Sequence, residues 1–288
     1  MTQQSVLAGL VLLAGALFVY RFYRVLAPVL RAPGPSRFDR LSERASFAVA
    51  DVGLHRRLLR KRWSGTLHSL IFFGFIILLT AILQSFGSGL FPGFSIAPIG
   101  GNTWIALLQD ICAVLIIIAL AMAAWQRAVI KPARFEGSKA TDAWTIYVMV
   151  LAVAGSMLLE FSSHIVASGT WTAWRPVSGA IASILASLGL TQQGATAAEH
   201  VFYWVHIAAV LSFLVFIPGS KHRHMFTALP NIFFRNLGPK GALPPTPDDA
   251  PGVSDIDQFS WKHKLDLISC TECGRCQEAC PAHAAGMP

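Results

Sequence analysis

Apolar runs of about 20 residues, separated by short polar connections, dominate the chain. Five of them, 5–27, 66–86, 103–125, 143–162 and 199–217, have the length of a helix that crosses the hydrocarbon core of a bilayer. A sixth apolar stretch, 177–190, is too short to span and reads as a surface or re-entrant helix. The first run has no positive residue before its apolar part, while Arg21 and Arg24 follow that part at the run's C-terminal end, which predicts an anchor with its N-terminus outside rather than a cleaved signal. The pattern therefore predicts an all-α membrane protein, a five-helix transmembrane bundle. Residues 1–235 form the membrane domain. Residues 236–258, with five prolines and four aspartates, form an extended linker, and residues 259–288 a small C-terminal module.

Composition agrees with that reading and excludes others. Of the 288 residues 54% are hydrophobic and only 13% charged, and the mean hydropathy is +0.54. Soluble domains carry about 25% charged residues, so an ordinary cytosolic enzyme is excluded, as is a disordered chain. The net charge of +8 would suit nucleic acid, but 22 of the 23 Lys and Arg fall in alternate connections. Only Arg175 lies in the other two, 87–102 and 163–198. Positive residues so distributed mark one face of a membrane, with the C-terminal tail in the cytoplasm, and no nucleic-acid partner is expected. The contacts expected instead are with membrane lipid.

Four of the five cysteines crowd into Cys270-Thr-Glu-Cys273-Gly-Arg-Cys276-Gln-Glu-Ala-Cys280-Pro281. This is the C-x2-C-x2-C-x3-C-P run that holds a [4Fe–4S] cluster. Zinc sites instead use two C-x2-C knuckles separated by a longer loop. In two-cluster ferredoxins the fourth cysteine serves the other cluster. Here either Cys280 closes a single cluster or the chain is part of a longer protein. Cys112, within the third run, reads as a small buried residue.

Histidine in a spanning helix is a functional candidate by default. His206 and His224 are 18 residues apart, five whole turns of a continuous helix and about 27 Å along its axis, and would share one face unless Pro218-Gly219 between them kinks or ends the helix. His68 begins the second run at the depth expected for His224, and two imidazoles facing across a bundle are the usual ligands of a b-type haem. For His206, His164 at the end of the fourth run is the candidate partner of a second haem. Asp110 and Glu160 lie within spans and are candidates for the proton exchange that quinone chemistry requires.

These residues carry a resemblance. Trp204-Val-His206, the stretch from Ile217-Pro-Gly-Ser-Lys-His-Arg-His224-Met to Pro230, and Gly65-Thr-Leu-His68-Ser-Leu-Ile-Phe-Phe-Gly74-Phe resemble the last and second helices of the haem b (gamma) subunit of respiratory nitrate reductase. Trp261-Lys, followed by the run from Leu265 through Cys276, resembles membrane-bound iron–sulfur oxidoreductases related to heterodisulfide reductase. That group includes bacterial dehydrogenases of electron-transfer flavoprotein. The resemblance implies that His68 and His224 carry one haem and His206 a second. Leu78 stands where the nitrate reductase subunit has its second-helix histidine. It further implies a respiratory-chain oxidoreductase in the cell inner membrane. Electrons would pass from a cytoplasmic donor, an electron-transfer flavoprotein or an iron–sulfur protein, through the cluster and haem b to quinone. The alternative is a non-catalytic anchor that relays electrons for separate subunits.

Overall fold

The computed structural model describes residues 2–239 and 252–287. Of the linker expected at 236–258, residues 240–251 lie outside the described residues. Of the described residues 76% are helical, and none is in a strand. Among the described residues, five helices are long and apolar enough to cross a membrane: Gln3–Arg31, Arg62–Leu90, Trp104–Ile130, Ala140–Ser168 and Gln192–Gly219. Each extends beyond the apolar run that predicted it, because polar residues continue the backbone helix past the hydrophobic stretch. The α-helices are α1 (Gln3–Arg31), α2 (Leu41–Ala48), α3 (Arg62–Leu90), α4 (Trp104–Trp125), α5 (Ala140–Ser168), α6 (Pro176–Ser187), α7 (Gln192–Phe216), α8 (His224–Phe233), α9 (Trp261–Ile268), α10 (Arg275–Glu278) and α11 (Pro281–Ala284).

The chain divides into two compact units. The first comprises the chain through Ala16, Lys61–Ala133 and Lys139–Val215. On α4 the buried Ala106, Ala113 and Leu120 recur every seven residues, one helical face. Small side chains let helices approach closely where lipid gives no hydrophobic drive to association. Gly74 of α3 shows the same device, since a Cβ there would stand 2.9 Å from the Ile116 side chain. Leu7 and Ala14 of α1 pack with Ile207 and Leu211 of α7. Leu79, Leu83, Ile118 and Val148 face outward, as suits helices whose solvent is hydrocarbon. The short apolar stretch forms α6, placed by a bond from α4 described below.

The second unit comprises Leu17–Arg60, Arg134–Ser138 and the chain from Phe216 onward. Phe18 and Phe22 stack with ring centroids 5.5 Å apart and both meet Phe226 of α8. Arg44, 3% exposed, donates to the carbonyls of Phe233 (3.2 Å) and Arg235 (2.8 Å). It thereby satisfies acceptors that the end of α8 leaves open. Asp51 is buried and draws in Arg56, Arg57 and Arg235 at 3.0–3.3 Å.

The expected continuous helix from His206 to His224 does not form. The helix α7 ends at Phe216, Ile217–Gly219 tightens to a 3-10 turn, Ser220 is extended at φ −120° and ψ 174°, and a second 3-10 turn, Lys221–Arg223, leads into α8. Pro218 has no N–H and its ring clashes with the preceding turn, so the five-turn periodicity does not carry across it.

Candidate functional site

In the second unit, α9 brings the chain to the cysteines. Its N-cap Ser260 accepts the His263 N–H. The Trp261 N–H donates to Pro33 O at 2.9 Å and its ring N–H to Pro35 O at 3.1 Å. Lys262 is buried and its ammonium reaches Asn231 (2.6 Å) and Asp266 (2.5 Å), while desolvation lowers its pKa. Arg223 Nε donates to Ile268 O, at the end of α9, at 2.7 Å.

The loop beyond α9 is held by basic residues distant in sequence. Arg134 Nη1 donates to Cys273 O at 2.8 Å, and Lys221 Nζ meets Glu272 Oε2 at 2.7 Å. Glu272 takes a left-handed φ of 52° and its N–H points at Cys270 Sγ, 3.4 Å away. Gly274 has φ 70°, and a Cβ on it would fall 1.9 Å from Arg134 O. Cys276 lies in α10, and Cys280 precedes α11, with Pro281 at the first helical position. All four thiols are free, three of them exposed and Cys280 half-buried. Among the described residues no group of three or more His, Cys, Asp or Glu side chains is gathered around a common metal position. The donor set nonetheless fits an iron–sulfur cluster: four soft thiolate ligands, with a backbone N–H already turned to one sulfur. Gly274→Ala is expected to push the loop off Arg134. Overlap would cost about 1–3 kcal/mol, in addition to about 1–2 kcal/mol for the left-handed backbone. Iron and acid-labile sulfide per chain, expected to fall, measure it.

His224 begins α8. Its Nδ1–H donates to Lys221 O at 2.8 Å, which leaves the lone pair on Nε2, and desolvation lowers its pKa. Both features favour the neutral imidazole a metal requires. His222 lies beside it, with ring centroids 5.4 Å apart. The remaining histidine candidates lie in the first unit. His206 is 1% exposed, and its Nδ1–H donates to Val153 O, with Ser156 Oγ equally close, both at 3.1 Å. Its Nε2 is buried without a hydrogen-bond partner among the described residues. Such an imidazole, oriented by a carbonyl with its far nitrogen presented to a dry interior, fits an axial ligand. His68 lies on α3, stacked near Phe72 with centroids 6.3 Å apart. His164 is exposed and pairs with Glu199 at 2.9 Å. It follows Ser156, the neighbour of His206, by eight residues of α5, about 12 Å along the axis.

Asp110 is fully buried in α4. Its carboxylate accepts the Val177 N–H (2.6 Å), the Ser178 N–H (3.1 Å) and the Ser178 hydroxyl, capping α6 from another helix. Beside it Arg175 donates to Gln109 Oε1 at 3.2 Å and lies 3.5 Å from the Phe161 ring centroid. Burial pulls this guanidinium down to about 10. Glu160 is half-buried, with Oε2 lacking a hydrogen-bond partner among the described residues. It interacts electrostatically with Glu199 and Arg175. Of the two acidic candidates, Asp110 is thus engaged as a helix cap and Glu160 retains an uncommitted oxygen. Sequence reasoning missed Arg134, Lys221 and Ser156. The first two were read as topology charges, and only their proximity to the ligand motifs distinguishes them. Ser156 carried no signal.

The chain is similar to curated proteins over nearly its whole length. It is 29% identical, over 279 residues and 94% of the chain, to a probable iron–sulfur-binding oxidoreductase, FadF, of Bacillus subtilis, of which the match covers 39%. It is 28% identical, over 298 aligned positions and 96% of the chain, to an EtfAB:quinone oxidoreductase of Syntrophomonas wolfei, of which the match covers 40%. A stretch of 41 residues, 14% of the chain, is 49% identical to 6% of a probable membrane-anchored ferredoxin of Chromohalobacter salexigens. The chain therefore spans about two-fifths of the length of its first two relatives. No protein-family profile and no solved structure matches it.

Proposed function

We propose that this chain is the haem b and iron–sulfur part of a quinone-linked respiratory oxidoreductase of the cell inner membrane. Its N-terminus would lie outside and its cysteine module in the cytoplasm. The observation that carries the reading is the run of four free thiols, Cys270, Cys273, Cys276 and Cys280, attached to a bundle of five apolar spans. A soft ligand set in such a setting suits one-electron transfer better than hydrolytic metal chemistry. The cytoplasmic donor is an electron-transfer flavoprotein or an iron–sulfur protein, a reading supported by the similarity to an EtfAB:quinone oxidoreductase, and the acceptor is membrane quinone.

The proposed ligands of one haem b are His68 and His224, and of a second His206. His164 is the remaining candidate to face it. Cluster and haem supply the one-electron chemistry when bound. The chain's own residues orient the ligands: Lys221 O fixes the His224 tautomer, and Val153 O fixes that of His206. Glu160, with its uncommitted buried oxygen, is the proposed group for proton exchange with quinone. Spectra of the purified chain test this. His68→Ala and His224→Ala are each expected to lose one low-spin haem, and His206→Ala to lose the second. Full haem content in all three variants would refute the ligands. A second reading is a relay subunit without turnover of its own. Activity with a quinone analogue that appears only on adding a partner chain would select it.

A further inference from the structure

Lys221 is placed in a way that neither ligand motif requires. Its side chain is 11% exposed, and a buried ammonium is costly unless paired. Here it is paired by Glu272 at 2.7 Å and Ser138 Oγ at 2.8 Å. Its backbone has a separate role: residue 221 opens the 3-10 turn before α8, and its carbonyl accepts the Nδ1–H of His224 at 2.8 Å. Glu272 in turn sits between Cys270 and Cys273, in a left-handed conformation that directs its N–H at Cys270 Sγ. A non-glycine residue is disfavoured in that conformation, so something must hold it, and the ion pair with Lys221 is placed to do so.

The geometry points to Lys221 as a positioning residue that ties the cysteine loop to the ring of His224. Its ammonium fixes the residue that feeds an N–H to a cluster sulfur, and its carbonyl fixes the imidazole of a haem ligand. The inference rests on the proposed function, in which the cysteines hold iron and His224 a haem. If Lys221 loses Glu272, the ammonium must find other solvation, and the movement of residue 221 carries the carbonyl on which His224 rests. A disturbance at the cysteine loop is thus felt at the histidine.

Lys221→Met, Lys221→Arg and Glu272→Ala in the full chain test this. The readouts are iron and sulfide retained under chelator challenge and the electron paramagnetic resonance position of the ferric low-spin haem. Loss of an outer-shell partner commonly weakens metal retention about 10–100-fold. Lys221→Met and Glu272→Ala are expected to show that loss and to shift the haem signal in the same direction, and Lys221→Arg to restore both. Loss of cluster iron with an unmoved haem signal, or wild-type behaviour of Glu272→Ala, overturns the coupling. If Lys221→Met does not accumulate, Glu272→Ala decides alone, since Glu272 is exposed. The unsubstituted chain is read first: absence of haem there refutes the proposed function and this inference with it, whereas haem present but indifferent to both substitutions refutes only the inference.

Discussion

Cys273→Ser is expected to abolish the iron–sulfur signal of the reduced protein while leaving haem per chain unchanged. A serine hydroxyl is a hard, weakly acidic ligand where iron in a cluster takes soft thiolates. The backbone at 273 is held by Arg134 through the carbonyl, so the loop keeps its course and the loss reports ligation rather than unfolding. The imidazole orientation at His206 depends on Val153 and Ser156, which the substitution does not touch. Electron paramagnetic resonance of the reduced chain, with haem measured separately by extraction, checks both halves. Simultaneous disappearance of haem would argue that haem retention requires the cluster.

Asp110→Ala is expected to destabilise the bundle by about 3 kcal/mol or more. Two amide N–H groups and a hydroxyl at the start of α6 would lose their acceptor, and each buried donor left unsatisfied costs about 1–3 kcal/mol. The favourable placement of a carboxylate at a helix N-terminus goes too. Asp110→Asn keeps an acceptor oxygen and is expected to lose less. Thermal unfolding in detergent measures the order. If Asp110 instead served chiefly in proton exchange, Asp110→Asn would stop quinone turnover with little change in melting temperature. The capping geometry predicts the reverse, with Glu160→Gln the variant that slows turnover.

The spans were legible because hydrocarbon demands long apolar runs, a signal that needs no partner. Their ends were not, because Arg62 and Gln192 continue helices past the apolar stretch. The cysteine run stood out as candidate chemistry by its spacing, while the described residues gather no group of three or more metal-binding side chains. What lay beyond reach were contacts between residues distant in sequence. Asp110 meets residues 67 and 68 positions away, and no periodicity announces that. Arg134 and Lys221 read correctly as members of positive connections, yet charge patterning reports a side of the membrane and says nothing of the carbonyl or carboxylate a given cation will find. The continuity assumed between His206 and His224 failed at Pro218 for a local reason written in the sequence, where the fixed ring outweighed the apolar run.

The bond between Asp110 and the start of α6 can form only after α4 has been made. When α4 leaves the ribosome, the residues that will satisfy Asp110 have not yet been made. An acid costs about 2.5–3.5 kcal/mol at the centre of an inserting helix and less towards its end, where Asp110 lies six residues after the start of α4; the apolar residues around it must outweigh that cost unaided. The nascent chain therefore commits this span to the bilayer first, and α6 finds its seat afterwards, drawn to a carboxylate already waiting there.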